Sequence, residues 1–457
     1  MYSIHTFLLQ KELFRSPEPV KTTVVSSFTD TPALQQIARQ ADSDYILFYT
    51  GTSPIELHPY AIGRMYQIAE SNDGALFYSD YQEIRQGKKI HHPTLEYQTG
   101  SIRNDFDFGQ LLLFRNDSFQ QVVAQMNTDY RFAALYELRL SISRLGKIVH
   151  IPETLYTVQP TDLRLSGEKQ FDYVDPANRE VQLEMEAVCT AHLQAIGAWL
   201  APEFQRIDFG QENFAREASV IIPVRNRKRT IAEAVESALQ QQTDFSFNVI
   251  VVDNHSTDGT GQILTELSRR YPNLIHHIPA STELGIGGCW TEAILLPECG
   301  KFAIQLDSDD LYKDCHVLQR IVDTFYQENC AMVIGSYQMV DFKLEEIPPG
   351  LIAHREWTPD NGRNNALRIN GLGAPRAFYT PVLRQIKFPN VSYGEDYATA
   401  LAISRKYLIA RIYDPLYLCR RWEENSDHDL DIQQLNNYNF YKDKIRTLEI
   451  QARISGK

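Results

Sequence analysis

The sequence predicts an α/β fold: a sheet of parallel strands with crossover helices in the second half of the chain, preceded by a smaller, related unit. Three observations predict it. From Ala218 onward, short apolar runs alternate with amphipathic stretches of helical period. Three of those runs close on polar clusters, "PVRN" (Pro223 to Asn226), "DN" (Asp253, Asn254) and "DSDD" (Asp307 to Asp310). Finally, strings from the second half recur, altered, in the first.

The elements follow in order. "ASVIIPV" (218–224) is the kind of run a buried parallel strand shows. After it, Ile231, Ala234, Val235, Ala238 and Leu239 fall on one helical face, and Thr230 with Glu233 makes a capping box. "FNVIVVD" is a strand ending at Asp253; the turn "NHSTDG" leads to a helix beginning near Thr260. "KFAIQLD" is a third strand ending at Asp307, and "AMVIGSY" (331–337) a fourth. Such alternation implies parallel strands with right-handed crossovers, and ligands bind outside the carboxyl ends of strands in these sheets. All three polar clusters stand at such ends.

A length of 457 residues is enough for two domains. Hydrophobic content of 43% and charged content of 23% are those of a globular protein. The net charge of -13 argues against nucleic acid as a partner and leaves a phosphorylated ligand in need of a cation or placed arginines. The six cysteines show neither CxxC nor zinc spacing, so they are expected to be reduced and structural. "MYSIHTFLLQKELF" has no signal-peptide pattern and no run reaches membrane-spanning length, so a cytoplasmic protein is expected. The mildly basic C-terminal stretch leaves peripheral attachment to a membrane open.

Three clustered carboxylates, Asp307, Asp309 and Asp310, repel one another unless a solvated turn or a cation compensates. An EF-hand starting at Asp307 fails, because Tyr312 and Leu318 stand where Gly and Glu are required. Magnesium or manganese fits better, since these ions take one or two carboxylates and complete their shell with water and phosphate.

In this order, "SVIIPVRNRKRTIAEAVESALQQ", "VIVVDNHSTDGT", "FAIQLDSDD" and "YGEDYATALAIS" resemble the family 2 glycosyltransferases of GT-A fold, a Rossmann-like nucleotide-diphospho-sugar transferase architecture, over about residues 217 to 425. The resemblance implies inverting transfer of a sugar from a nucleotide-sugar donor (UDP-, GDP- or dTDP-linked) to an acceptor hydroxyl on a glycan, a lipid-linked sugar or a protein. It implies that Pro223, Val224, Arg225, Asn226, Asp253 and Asn254 line the base and ribose pocket. Asp307 lies by the ribose, and Asp309, with Asp307, serves a Mn2+ or Mg2+ ion on the donor diphosphate. Asp396 of the Glu395–Asp396 pair becomes the general base. Acidic residues also suit any helix N-terminus for dipole reasons, which is the plainer reading of that pair.

The chain departs from the family in places. "GIGGCWTEAI" puts Trp290 and Thr291 where Arg and Asn are common, Asn254 replaces an Asp, and Trp422 stands where a metal-binding His is frequent. His428 is a substitute ligand in that segment. Arg420 or Arg421 suits the diphosphate, since guanidinium forks match phosphate oxygens. Position 418 is Leu, so the "QxxRW" of processive synthases is not met. On the acceptor side, Trp422, Arg376, Trp357 and His354 are the candidates for sugar contact.

The first half echoes the second. When residues 134–156 are placed on 395–417, Tyr136, Leu140, Ile142, Ser143, Arg144, Ile148, Leu155 and Tyr156 recur identically. "YILFYTGTS" similarly matches "FAIQLDSDD", with Thr50, Thr52 and Ser53 where the aspartates stand. Residues 1–165 are therefore read as a truncated GT-A-like domain without catalytic carboxylates, fit to orient the acceptor, form a homodimer contact or support the catalytic domain. Residues 166–216 are read as a linking helix, from a start signal at Asp175 and Pro176, and a hinge; 217–430 as the catalytic domain; and 431–457 as a C-terminal helix.

Three other classes compete with this reading. A catalytically inactive nucleotide-sugar or glycan-binding pseudo-enzyme would keep this fold and lose turnover. A sugar nucleotidyltransferase would carry a "GGxGTR" loop, which "PVRNRKRT" lacks, and a dehydrogenase would carry GxGxxG, which "GIGGCW" lacks.

Overall fold

The computed structural model describes residues 3–159, 178–210, 213–355, 357–422 and 431–456. Asp175, Pro176 and His428 lie outside the described residues. The chain forms two compact units: residues 1–199 with 430–457, and residues 200–429. All six cysteines are free. No described helix is long and apolar enough to cross a membrane.

The first unit holds strands β1 (Ile4–Leu8), β2 (Phe14–Arg15), β3 (Lys21–Val24), β4 (Tyr45–Tyr49), β5 (Ile55–Leu57), β6 (Gly74–Arg85), β7 (Lys88–His92), β8 (Leu111–Arg115) and β9 (Lys147–Val158). Its helices are α1 (Thr31–Gln40), α2 (Ala61–Glu70), α3 (Asn116–Val123), α4 (Ala134–Leu145) and α5 (Arg179–Ala195). One sheet runs β2-β5-β9-β6-β8-β4-β1-β3, with β7 paired to β6. Two apolar layers pack it, one around Phe48, Phe114 and Phe119, the other around Tyr49, Phe77 and Tyr156.

In the second unit the strands are β10 (Ala218–Val224), β11 (Phe247–Asp253), β12 (Leu274–His277), β13 (Phe302–Gln305), β14 (Leu311–Tyr312), β15 (Met332–Val340), β16 (Glu346–Ile352), β17 (Arg376–Tyr379) and β18 (Ile409–Arg420). Helices α6 (Ile231–Leu239), α7 (Thr260–Arg270), α8 (Ile286–Leu295), α9 (Val317–Glu328), α10 (Gly362–Asn365), α11 (Thr380–Ile386) and α12 (Glu395–Ser404) connect them. The last helix, α13 (Ile432–Ile454), belongs to the first unit. There its Asp443 accepts from Ser101 Oγ at 3.0 Å and pairs with Arg103 and Arg446.

The second sheet runs β12-β11-β10-β13-β17-β15-β18-β14, with β16 on β15. Four neighbours, β12 to β13, are parallel as the apolar runs predict, and the side chains of β10, β11 and β13 are almost all buried, on both faces. Beyond β13 the expected parallel sheet gives way to a mixed one: β17 is antiparallel to β13 and to β15, while β18 returns parallel to β15. Strand β13 also stops at Gln305, two residues short of Asp307, and β15 continues past Tyr337 to Val340. The capping box does not form. Thr230 caps α6 without a side-chain hydrogen bond, and Glu233 is drawn to Arg420 instead.

Strand for strand, the two sheets share an order. β3-β1-β4-β8-β6-β9-β5 corresponds to β11-β10-β13-β17-β15-β18-β14, and each successive pair has the same sense in both. The ladder even shifts register at matching places, before the Tyr81–Tyr156 pair in one sheet and before the Tyr337–Tyr417 pair in the other.

Candidate functional site

The ends of β10 and β11 are stitched together. Asn254 N donates to Val224 O at 2.8 Å, Asn226 N to Ser256 Oγ at 2.9 Å, and Thr257 N to Asn226 Oδ1 at 2.8 Å. Two non-glycine residues with left-handed backbone, Asn226 (φ 56) and His255 (φ 57), make these tight turns. Asp253 is buried and accepts from Ser256 N at 2.9 Å, with His276 Nε2 3.3 Å away. Burial raises its carboxyl, but the bonds from His276 and Ser256 outweigh that and hold it below the usual range. Asn254 is also buried; its amide donates to Leu284 O at 2.8 Å, and its Oδ1 has no partner among the described residues. Pro223 is half-buried and Val224 buried, while Arg225 and Asn226 are exposed. The rim therefore offers outward polar side chains over a braced floor.

Next to it, the loop after β13 carries the three aspartates. Gln305 Nε2 lies 2.9 and 3.0 Å from the two Asp307 oxygens, and Asp307 N donates to the Tyr417 hydroxyl at 3.0 Å. Burial pushes the Asp307 carboxyl up, against the pull of Arg376. Asp310 is deeper: its Oδ1 accepts from Arg420 N at 2.7 Å, and burial followed by Asp309 and Asp307 pushes it well up. Asp307 and Asp309 are half-buried, the Asp309 side chain 13% exposed. Trp422 Nε1 donates to Asp309 Oδ2 at 3.1 Å, and Arg227 Nε is 3.7 Å from the same oxygen.

Arg420, expected at the diphosphate, is buried beneath this loop, where it bonds the Asp309 carbonyl and Glu233. Arg421 is half-buried, and its backbone N–H closes on Val340 O at 2.9 Å.

The second carboxylate pair enters from α12. Gly394 (φ 79) turns the chain in a conformation glycine adopts without strain, placing Glu395 and Asp396 in the first helical turn. Arg376 Nη1 lies 2.5 Å from Asp396 Oδ2, so this arginine, expected on the acceptor, is instead the partner of the second acidic residue. Glu395 is buried, and burial followed by the Asp396 charge pushes its carboxyl up to about 8. Arg376 lies within electrostatic reach of Asp307, Glu395 and Asp396, and so links the two acidic clusters.

Other candidates stand apart from it. Trp357 is 5% exposed and sits over Gly362, whose added Cβ would come within 2.7 Å of the indole, so the expected acceptor contact is a core residue. His354 is buried as well. Trp290 packs between Phe378 and Phe388, and the N–H groups of Gly285 and Gly287 at the start of α8 are taken by Asn390 Oδ1 and Val391 O. Trp422, read as an acceptor candidate, lies on Asp309. Sequence reasoning missed Gln305, Tyr417, Arg227 and Arg229; only "RNRKR", a basic loop in an acidic chain, hinted at the last two.

A family model described as Glycosyl transferase family 2 matches residues 219–386. An uncharacterized glycosyltransferase of Nostoc sp. is 32% identical over 123 residues, 27% of this chain and 37% of that protein. The poly(ribitol-phosphate) beta-glucosyltransferase of Bacillus spizizenii is 24% identical over 230 residues, 49% of this chain and 35% of the relative. The putative teichuronic acid biosynthesis glycosyltransferase TuaG of Bacillus subtilis is 26% identical over 195 residues, 42% of this chain and 74% of the relative. The chain thus spans about a third of the length of the first two. A crystal structure of S. aureus TarS 1-349 in complex with UDP-GlcNAc is similar at 23% identity and a TM-score of 0.40, over 52% of this chain and 72% of that one. The second unit thus carries a region, residues 219–386, that matches glycosyl transferase family 2.

Proposed function

We propose that the second unit moves a sugar from a nucleotide-sugar donor to an acceptor hydroxyl with inversion, Asp396 acting as general base. The observation that carries this reading is the single acidic site built from Asp307, Asp309 and Asp310 on one side and Glu395 with Asp396 on the other, joined through Arg376. The stitched rim at Asn226, Asp253 and Asn254 is the place for the nucleoside, where the unpartnered Asn254 Oδ1 is an acceptor for a base or ribose donor.

In the reaction, the acceptor oxygen attacks the anomeric carbon as the bond to the diphosphate oxygen breaks. Asp396 takes the acceptor's proton, and the nucleoside diphosphate leaves. Arg376 orients the base. Glu395, buried behind it, favours its neutral form at neutral pH and so does not compete for that proton.

Charge on the leaving group needs compensation. No group of three or more His, Cys, Asp or Glu among the described residues is arranged to hold a metal. The donor set nevertheless suits a hard divalent ion, because one or two carboxylates with water and phosphate oxygens is how magnesium is usually bound. Asp309 would hold it, with Asp307 behind, engaged by Gln305. Bound there, Mn2+ or Mg2+ supplies Lewis-acid stabilisation of the diphosphate.

The first unit is read as a carboxylate-poor copy of the second. The shared strand order and sense support this, as does Tyr156 at the position of Tyr417 with Thr50 and Thr52 in place of the aspartates. For the acceptor, the relatives' names favour a glycan or polyol-phosphate polymer.

The test is turnover of a panel of UDP-, GDP- and dTDP-sugars with Mn2+, with the anomeric configuration of the product read by NMR. Release of nucleoside diphosphate with inversion in wild type, and its loss in Asp396→Asn, supports the reading. Equal turnover in Asp396→Asn removes Asp396 as the base.

A further inference from the structure

We propose that Trp422 is a positioning residue that competes with the divalent cation for Asp309, so that cation and diphosphate enter the site together by displacing the indole N–H. The inference rests on the donor reading above and deepens it.

Asp309 Oδ2 faces two donors: Trp422 Nε1 at 3.1 Å and Arg227 Nε at 3.7 Å. The indole is itself held. The guanidinium carbons of Arg227 and Arg229 lie 5.8 and 5.2 Å from its ring centroid, and Phe342 meets it edge-on at 5.2 Å and 71°. A cation placed on Asp309 Oδ2 would meet the positive ends of an N–H dipole and a guanidinium, and both repel it. Cation alone therefore binds against a standing cost.

A nucleoside diphosphate changes the balance. Its oxygens are acceptors for the same donors, and guanidinium groups match them well. The indole N–H, Arg227 and Arg229 can then leave the carboxylate and meet phosphate, while the cation takes Asp309. No donor is left unsatisfied by the exchange, so the diphosphate raises cation affinity and the cation raises diphosphate affinity by the same factor.

Trp422→Phe isolates the effect. Phenylalanine keeps an aromatic ring, smaller than the indole, for the two arginines and Phe342, and removes the N–H. The experiment measures Mn2+ binding to the full chain by electron paramagnetic resonance, with and without UDP, GDP, dTDP or CDP, in wild type, Trp422→Phe and Asp309→Ala. Trp422→Phe is expected to bind Mn2+ alone about tenfold tighter than wild type, the size of one hydrogen bond to a charged group. The enhancement by nucleotide should shrink by the same factor, and Asp309→Ala should bind at neither condition. Tryptophan emission provides a second reading: Mg2+ with the nucleotide should change it in wild type and leave it unchanged in Trp422→Phe. If Trp422→Phe binds Mn2+ no tighter than wild type while Asp309→Ala abolishes binding, the competition is overturned and the metal reading stands. If Mn2+ binds no variant with any nucleotide, both fall.

Discussion

Arg376 Nη1 lies 2.5 Å from Asp396 Oδ2, and the backbone N–H of the same arginine donates at 3.1 Å to Gln305 Oε1, whose amide nitrogen spans both oxygens of Asp307. One residue on β17 thereby ties Asp396 to the loop that carries Asp307. Arg376→Met is expected to lower kcat/KM about 10²-fold, the cost of misplacing a reacting group by about 1 Å, with little change in donor affinity. Arg376→Lys should restore part of the loss. Steady-state kinetics on the three proteins, with nucleotide affinity measured in parallel, provides the check.

Glu395 gives a pH signature in stability. Its carboxyl is raised from 4.5 to about 8 in the folded chain, by burial and then by Asp396. The folded state binds this proton more tightly than the unfolded state, so the group favours folding below the unfolded value. That contribution is lost as pH rises, until none remains above about 8. Glu395→Gln should therefore melt close to wild type near pH 4.5 and above it at pH 8, with the gap opening between those values. Scanning calorimetry across that range measures it.

Gly287 is a contact that sequence spacing cannot express. A Cβ there would stand 2.0 Å from the Pro389 carbonyl and 2.9 Å from Glu395 Cβ. Gly287→Ala must push the segment before α12, and is expected to cost about 1–3 kcal/mol together with a loss of turnover. Denaturant melts and rate measurements on the same sample test both parts.

Gly100 plays the matching part in the first unit. A Cβ would meet the Asp443 carbonyl at 2.2 Å and Thr447 N at 2.3 Å, both backbone atoms of α13. Gly100→Ala should loosen that helix and cost about 1–3 kcal/mol. Asp443→Ala should cost about 3–5 kcal/mol, because Arg103 and Arg446 would keep buried charges without this carboxylate. Limited proteolysis of α13 and thermal melting report on both.

The elements legible in the sequence are those whose signal is local. β10 and β11 are apolar on both faces, α6 and α7 have clean periodicity or turn chemistry before them, and Glu395 follows a glycine that breaks the chain into α12. The strings matched between the halves coincide with α4–β9 and α12–β18. What stayed hidden depends on partners far along the chain. β17 is a four-residue strand, "RAFY", with no period of its own, and it reverses the sheet by running antiparallel to both β13 and β15. Glu233 reads as a cap and becomes a partner of Arg420, 187 residues away. Trp357 reads as a sugar platform because aromatic type is visible in sequence and burial is not.

The most direct test of the account is calorimetric titration of UDP, GDP, dTDP and CDP, with and without Mn2+, on wild type and Asp309→Ala. The account predicts that one nucleotide binds wild type only when the metal is present, and that Asp309→Ala loses that binding. Failure of every nucleotide to bind with metal present would contradict it and return the aspartate cluster to a solvated turn.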